Sequence, residues 1–115
     1  MLDTSPLSAA VERFADRLRA APQSRLQQGA AAAALELARE LSVRAQRLEA
    51  PGRVPRVMPD EGLFVVGDQV AVAGLDLAEA LRGGGAGAAD TAKAPSELLD
   101  EAVSLVEQAE IRAMR

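Results

Sequence analysis

The side chains that could do chemistry in this 115-residue sequence are mostly carboxylates, because histidine, cysteine, tyrosine and tryptophan are all absent. The chain therefore lacks the usual general base near neutral pH, a thiolate nucleophile and a thiolate metal ligand. The acidic residues cluster at Asp60 and Glu61, at Asp76 and Glu79, and at Asp100 and Glu101. No cluster has the alternating layout of a calcium loop, and solvated faces and turns explain all three. The sequence predicts no catalytic residue, no cofactor and no metal site.

Two glycine positions could in principle bind phosphate, because free N–H groups converge where a glycine precedes a helix. Gly67 follows an apolar tetrad, but a dinucleotide site has three glycines and the neighbouring Asp68 would repel an anion. The glycine triplet at 83–85 has no preceding strand, and Lys93 follows its last glycine only after eight residues. Asp68 is instead typical of a helix N-cap.

Composition and charge bound the class of protein. Apolar residues make up 49% of the chain and charged residues 26%, which is typical of a soluble globular domain. No apolar run is long enough to span a membrane and the N-terminal residues lack a secretory pattern, so we expect a cytoplasmic protein with no membrane partner. Nucleic acid is not an expected partner either, because the net charge is −4 and few aromatic residues are available to stack on bases.

The charge is divided unevenly along the chain. Residues 1–56 carry nine Arg against six Asp and Glu, a balance of +3, whereas residues 57–115 carry four Lys and Arg against eleven Asp and Glu, a balance of −7. The two halves should therefore attract each other, with the acidic last helix near the helices that carry arginine. The alternative is that the acidic segment is presented to a basic partner.

Apolar residues at helical spacing predict four amphipathic helices, at about 6–20, 25–49, 69–82 and 96–115. Gly29 lies inside the second helix, where it either permits a close helix crossing or marks the true start of the helix. A hairpin turn at 67–68, with a strand at 69–73, is an alternative to the start of the third helix. The stripe of apolar residues favours the helix: Val70, Ala73, Leu77 and Leu81.

Residues 53–67 are predicted to form a short β-ribbon. The segment 53–58 has an extended pattern, 59–62 has the Pro and Gly of a turn, and 63–66 is an apolar tetrad. Pro55 confines the first strand to an edge, and a ribbon of two strands must pack on the helices to be stable.

The predicted fold class is mainly α, an antiparallel helical hairpin with a short β-ribbon, a third helix and a tethered C-terminal helix (α-α-β-β-α-α). Residues 1–82 are expected to form a single core domain, 83–95 a flexible Gly/Ala-rich linker, and 96–115 a C-terminal amphipathic helix. A long linker leaves three partners open for the last helix: the same chain, a second copy, or another protein.

The function predicted from these features is non-catalytic protein–protein interaction, as a scaffold or regulatory protein that acts through helical surfaces and forms a homodimer. The expected contact residues are Ala30, Ala33 and Leu37 on the second helix and Leu99, Val103 and Val106 on the last. An alternative is a small-molecule-binding regulatory module whose apolar pocket involves Phe64, Val66 and Leu77, with Arg56 at its edge. A carboxylate-dependent hydrolase is the third hypothesis.

Overall fold

A computed structural model describes residues 2–83 and 93–115 of the chain. The protein is mainly helical (75%), and no strand occurs within these described ranges. The prediction of a β-ribbon at 53–67, and with it the α-α-β-β-α-α arrangement, is therefore wrong. Most of the linker predicted at 83–95 lies outside the described residues.

Four long helices account for most of the described chain. They are α1 (Ser5–Ala20), α3 (Ala31–Glu49), α4 (Val66–Arg82) and α5 (Pro95–Ala113). A three-residue helical turn, α2 (Gln23–Arg25), and a π-helical turn (Leu26–Ala30) precede α3. The predicted third helix is confirmed, and the alternative of a strand at 69–73 is wrong, because this segment lies inside α4.

The four long helices share one apolar core. Helix α4 packs along both α3 and α1, and α5 packs against α1 and α3 on the other side. Helices α1 and α3 therefore face each other across the core, and the predicted hairpin of two adjacent helices is wrong. The wide small and apolar face of α4 explains this arrangement, since it can bury against two neighbours at once. The largest fully buried side chains are Leu7, Phe14, Leu18, Leu41, Val70, Leu77 and Val106.

Gly74 allows α4 to approach α1 closely. A Cβ atom at this position would lie 2.6 Å from both Cγ atoms of Val11 and 3.0 Å from its Cβ. Carbon atoms prefer separations of about 3.5–4.0 Å, so there is no room for a side chain here. Arg82 at the end of α4 then donates a 2.7 Å hydrogen bond from Nη1 to the hydroxyl of the buried Thr4, which ties the two helices together.

Gly29 interrupts the helix predicted at 25–49. Its φ of 127° and ψ of −16° are not helical, and they favour glycine because a side chain is strained at such a φ. Apart from Gly29 and its neighbours in the chain, no atom lies within 4 Å of the position of an added Cβ, so Gly29 does not mediate a close helix crossing. The second of the two interpretations of Gly29 is correct, since the regular α-helix begins just after it, at Ala31.

Helices α4 and α5 both begin before their expected starts. Helix α4 begins three residues before the expected start, and Asp68 lies in its first turn, where it accepts a 2.6 Å hydrogen bond from Nη2 of Arg19. This hydrogen bond raises the pKa of the Arg19 guanidinium. Helix α5 begins at Pro95, one residue before the expected start, with Ala94 at the N-cap.

The expected attraction between the two halves of the chain is confirmed. The side chain of Glu110 on α5 is only 8% exposed, and it accepts hydrogen bonds from Nε of Arg13 at 3.2 Å and from Nη1 of Arg17 at 3.0 Å. On the other side of α5, Nη1 of Arg44 on α3 donates to Glu101 at 3.0 Å. Ion pairs therefore flank the apolar face that packs α5 onto α1 and α3.

Candidate functional site

The segment 50–65, called the strap from here on, connects α3 to α4 and runs back along α3. The side-chain amide of Gln46 accepts a hydrogen bond from the Arg56 N–H at 2.9 Å and donates one to the Arg56 carbonyl at 2.8 Å. Two turns earlier on α3, Nε of Arg39 donates to the Met58 carbonyl at 2.8 Å. The backbone of residues 53–58 was predicted to pair with a second strand. Side chains of α3 bind it instead.

The C-terminal part of the strap is fixed to α4. Nε2 of Gln69 donates a 2.8 Å hydrogen bond to the Pro59 carbonyl. The Asp60 carboxylate accepts the Gly62 N–H at 2.9 Å and closes a turn, in which Gly62 has a φ of 99°. Side chains of α3 and α4 therefore hold the middle of the strap, at Arg56, Met58 and Pro59, without pairing with a strand.

A groove of about 830 Å³ lies between the strap, α3 and the π-helical turn. Most of its lining is apolar, contributed by Leu26, Ala31, Ala32, Leu35, Val43, Val57, Leu63 and Val66. The charged groups at its lining are Glu36, Arg39, Glu40 and Asp60. This combination of an apolar lining with few polar groups is typical of a binding site.

The three most exposed large apolar side chains of the described residues all lie on the strap. Val54 is 91% exposed, Phe64 is 77% exposed and Val57 is 68% exposed. Val57 also lines the groove, and Phe64 directly follows the lining residue Leu63. Single exposed apolar residues are common on protein surfaces, but a group beside an apolar groove is a feature of interaction sites.

The charge around the groove is negative. Glu36 and Asp60 are exposed and form no ion pair with any residue of the described ranges. Arg39 is the cation of the lining, and its Nε donates to the strap carbonyl. Glu40 is neutralised locally, because its Oε2 accepts a 2.7 Å hydrogen bond from Nε of Arg44.

Arg44 and Glu101 extend this ion pairing to α5. Burial acts to lower the pKa of Arg44, but hydrogen bonds to Glu40 and Glu101 outweigh it and raise the pKa above its usual value. Hydrogen bonds from Lys93, and then from Arg44, hold the pKa of the Glu101 carboxyl below its usual value. These shifts follow from ion pairs within α3, between α3 and α5, and between Lys93 and α5, and they stabilise the charged forms of both groups.

The predicted interaction residues lie mainly in the core of this chain. Ala30, Leu37, Leu99 and Val106 are buried, and Ala33 and Val103 are partly buried. Ala33 lines a second hollow of about 380 Å³ together with Arg25, Arg112 and Arg115. Because α3 and α5 pack against each other and into the core, most of these six residues are covered within the single chain.

The predicted pocket residues are not brought together. Val66 lines the groove, whereas Leu77 is 2% exposed within the core between the helices. Phe64 and Arg56 are exposed and are not part of the groove lining. The arginine at the groove is Arg39, which the sequence analysis did not select. A signal was available, since Arg39 and Gln46 lie seven residues apart on one face of a helix that precedes a proline-containing extended segment.

The three carboxylate clusters lie on three different elements: the strap, α4 and α5. Among residues 2–83 and 93–115, no group of three or more acidic side chains is arranged to hold a metal ion. Within the same residues, no helix has the length and apolar character needed to cross a bilayer.

Comparison with protein-family models, with curated proteins and with solved structures found no match to this chain.

Proposed function

We propose that this protein is a non-catalytic interaction module, a scaffold or regulator, that binds a protein partner through the strap and the adjacent groove. The observation that carries the proposal is the position of Val54, Val57 and Phe64, the most exposed large apolar side chains of the described residues, on one connecting segment beside an apolar groove. Fully burying such a side chain contributes about 1.5–3 kcal/mol, so contact with a partner at these residues would be strongly favourable.

Hydrogen bonds from the helices order the middle of the strap, around Val57. Its backbone is held at Arg56 by Gln46, at Met58 by Arg39 and at Pro59 by Gln69. A segment that is already ordered loses less conformational entropy on binding than a flexible loop does. Proline also lacks an N–H group, so Pro55 and Pro59 limit unspecific backbone pairing of the strap with extended segments of other proteins. Both features favour a discrete contact.

Capture from a lysate of the cells that make the protein tests this proposal. The immobilised wild-type chain is compared with a Val57→Ala/Phe64→Ala variant and with a Leu75→Ala control, in which the changed residue is 53% exposed on α4. We expect the wild type and the control to retain the same proteins and the strap variant to lose them. Equal recovery by all three chains contradicts the proposal.

The groove also favours a second candidate, a module that binds a small molecule. Its volume of about 830 Å³ lies within the range of ligand sites, and its lining is mainly apolar. A metabolite that binds only the folded chain must raise the melting temperature, and a substitution in the groove such as Leu35→Ala must reduce that rise relative to the variant's own melting temperature. A screen that finds no such metabolite leaves the protein-interaction function as the better account.

A further inference from the structure

The strap carries opposite charges at its two ends. Arg53 and Arg56 lie toward its N-terminal end and Asp60 and Glu61 toward its C-terminal end, and all four side chains are exposed. None of them forms an ion pair with another residue in the part of the chain that the structure describes. Val57 lies midway between Arg53 and Glu61, four residues from each.

This order of charges is complementary to itself. If two straps lie antiparallel across a two-fold axis at Val57, Arg53 of each copy faces Glu61 of the other, and the two Val57 side chains meet at the axis. A two-fold contact repeats each pairing twice, so a surface with separated positive and negative ends attracts a copy of itself. This pairing requires two copies of the chain, because the strap of one chain cannot lie antiparallel to itself.

In this antiparallel arrangement the groove of each chain lies beside the other copy. On the strap its wall runs from Val57 to Leu63, and in the antiparallel arrangement this wall faces residues 51–57 of the other copy. Those residues include Val54, whose side chain is 91% exposed, flanked by Arg53 and Arg56. The exposed Val54 side chain, with an arginine on each side, thus faces the apolar groove of the other copy. The lining of that groove includes the carboxylates of Glu36 and Asp60, which form no ion pair within the described residues.

On the basis of the proposed interaction function, we propose that the occupant of this site is a second copy of the chain, and that Val54 of each copy enters the groove of the other. The groove is then completed by the second copy, with Arg53 pairing with Glu61 across the axis. The contact differs from the self-association predicted through Ala30, Ala33 and Leu37, because it leaves the core of each chain intact.

Sedimentation equilibrium of the purified full-length chain tests this assignment directly. Between about 1 and 200 µM we expect the mass to rise from that of the 12.0 kDa chain toward twice that value. Arg53→Glu and Glu61→Arg each place like charges at both symmetric contacts, so each variant alone is expected to weaken the dimer by about tenfold. Mixed in equal amounts, they form a heterodimer in which both contacts are again opposite, and its affinity is expected to lie within about threefold of the wild type.

Val54→Ser supplies the apolar half of the test, with Val72→Ser as its control, because Val72 is 54% exposed on α4 away from the groove lining. We expect Val54→Ser to weaken the dimer by about tenfold or more and Val72→Ser to leave it unchanged. A wild-type chain that stays monomeric up to about 200 µM, or a dimer that is insensitive to all three strap substitutions, overturns the assignment. In both of these cases, capture of a different protein through Phe64 and Val57 would still support the proposed interaction function. Failure of the dimer assignment is therefore distinguishable from failure of the proposed function.

Discussion

Replacing Gly74 with alanine is expected to destabilise the protein, although alanine is the better helix former. In the interior of an ordinary helix this change contributes about 1 kcal/mol of stability. At Gly74, however, the new methyl group would lie 2.6 Å from both Cγ atoms of Val11. This distance is about 1 Å shorter than the favourable carbon–carbon separation. The Cβ of Val11 is only 3.0 Å away, so no rotation of that side chain clears the overlap.

The magnitude follows from two opposing contributions. Overpacking of a core costs about 1–3 kcal/mol, and three carbon atoms that are too close place this site in the upper part of that range. After the gain of about 1 kcal/mol in helix propensity, the net loss is about 1–2 kcal/mol. In small domains each kcal/mol lowers the melting temperature by about 4–8 °C, so the effect is easily measured.

Urea unfolding of four proteins checks this reasoning: the wild type, Gly74→Ala, Val11→Ala and the double variant. Val11→Ala removes both methyl groups that the new side chain would meet, so adding Gly74→Ala to it should change stability by close to zero. The coupling between the two positions is therefore expected to be at least about 1 kcal/mol. If Gly74→Ala stabilises the wild type, or costs the same with and without Val11→Ala, the close approach of α1 and α4 is not what selects glycine here.

Two further predictions concern the turn before α3 and the ion pairs of α5. Gly29→Ala should lower the free energy of unfolding by about 1–3 kcal/mol, because alanine is strained at a φ of 127°. Gly52→Ala is the control, since Gly52 has equal space and no positive φ, and its stability should lie within about 0.5 kcal/mol of the wild type or be slightly higher. Equal melting temperatures of the two variants contradict this prediction. The pKa of Glu101 is lower in the folded protein than its ordinary value of 4.5. Glu101 therefore contributes fully to stability when the pH is above 4.5, and this contribution is lost as the pH falls through the pKa of the folded state. Glu101→Gln should therefore reduce the free energy of unfolding at pH 7 and have a smaller effect at about pH 3, and an equal effect at both values would show that the charge of Glu101 does not stabilise the fold.

Helices were the elements that sequence reasoning could locate, because their signal is local. The apolar stripe of α4 recurs at helical spacing, and its members Val70, Ala73 and Leu77 are all buried. The stripe also extends backward to Val66 and Leu63 at the same spacing, which explains why α4 begins before Asp68. The tetrad at 63–66 therefore belongs to a turn and a helix start, although four consecutive apolar residues are equally typical of a short strand.

The partners of each helix were beyond the reach of the same reasoning. Adjacent helices joined by a short turn usually pack side by side, which favoured a hairpin of the first two. That preference is overridden because α4 offers Gly74 to α1 and a broad apolar face to α3, and therefore lies between them. Which face meets which neighbour depends on the fit between distant segments, and a single sequence does not encode that fit as a local pattern.

The course of the strap illustrates the same limit and bears directly on function. An apolar segment that contains a proline is typical of an edge strand, and the local pattern cannot distinguish a strand partner from a helix whose side chains bind the backbone. Because Gln46 and Arg39 provide the hydrogen bonds, the strap needs no second strand, and its apolar side chains are not drawn under a sheet. Val54 and Val57 therefore remain on the surface, and this is why the proposed interaction site is on a connecting segment and not on the helical faces that the sequence had favoured.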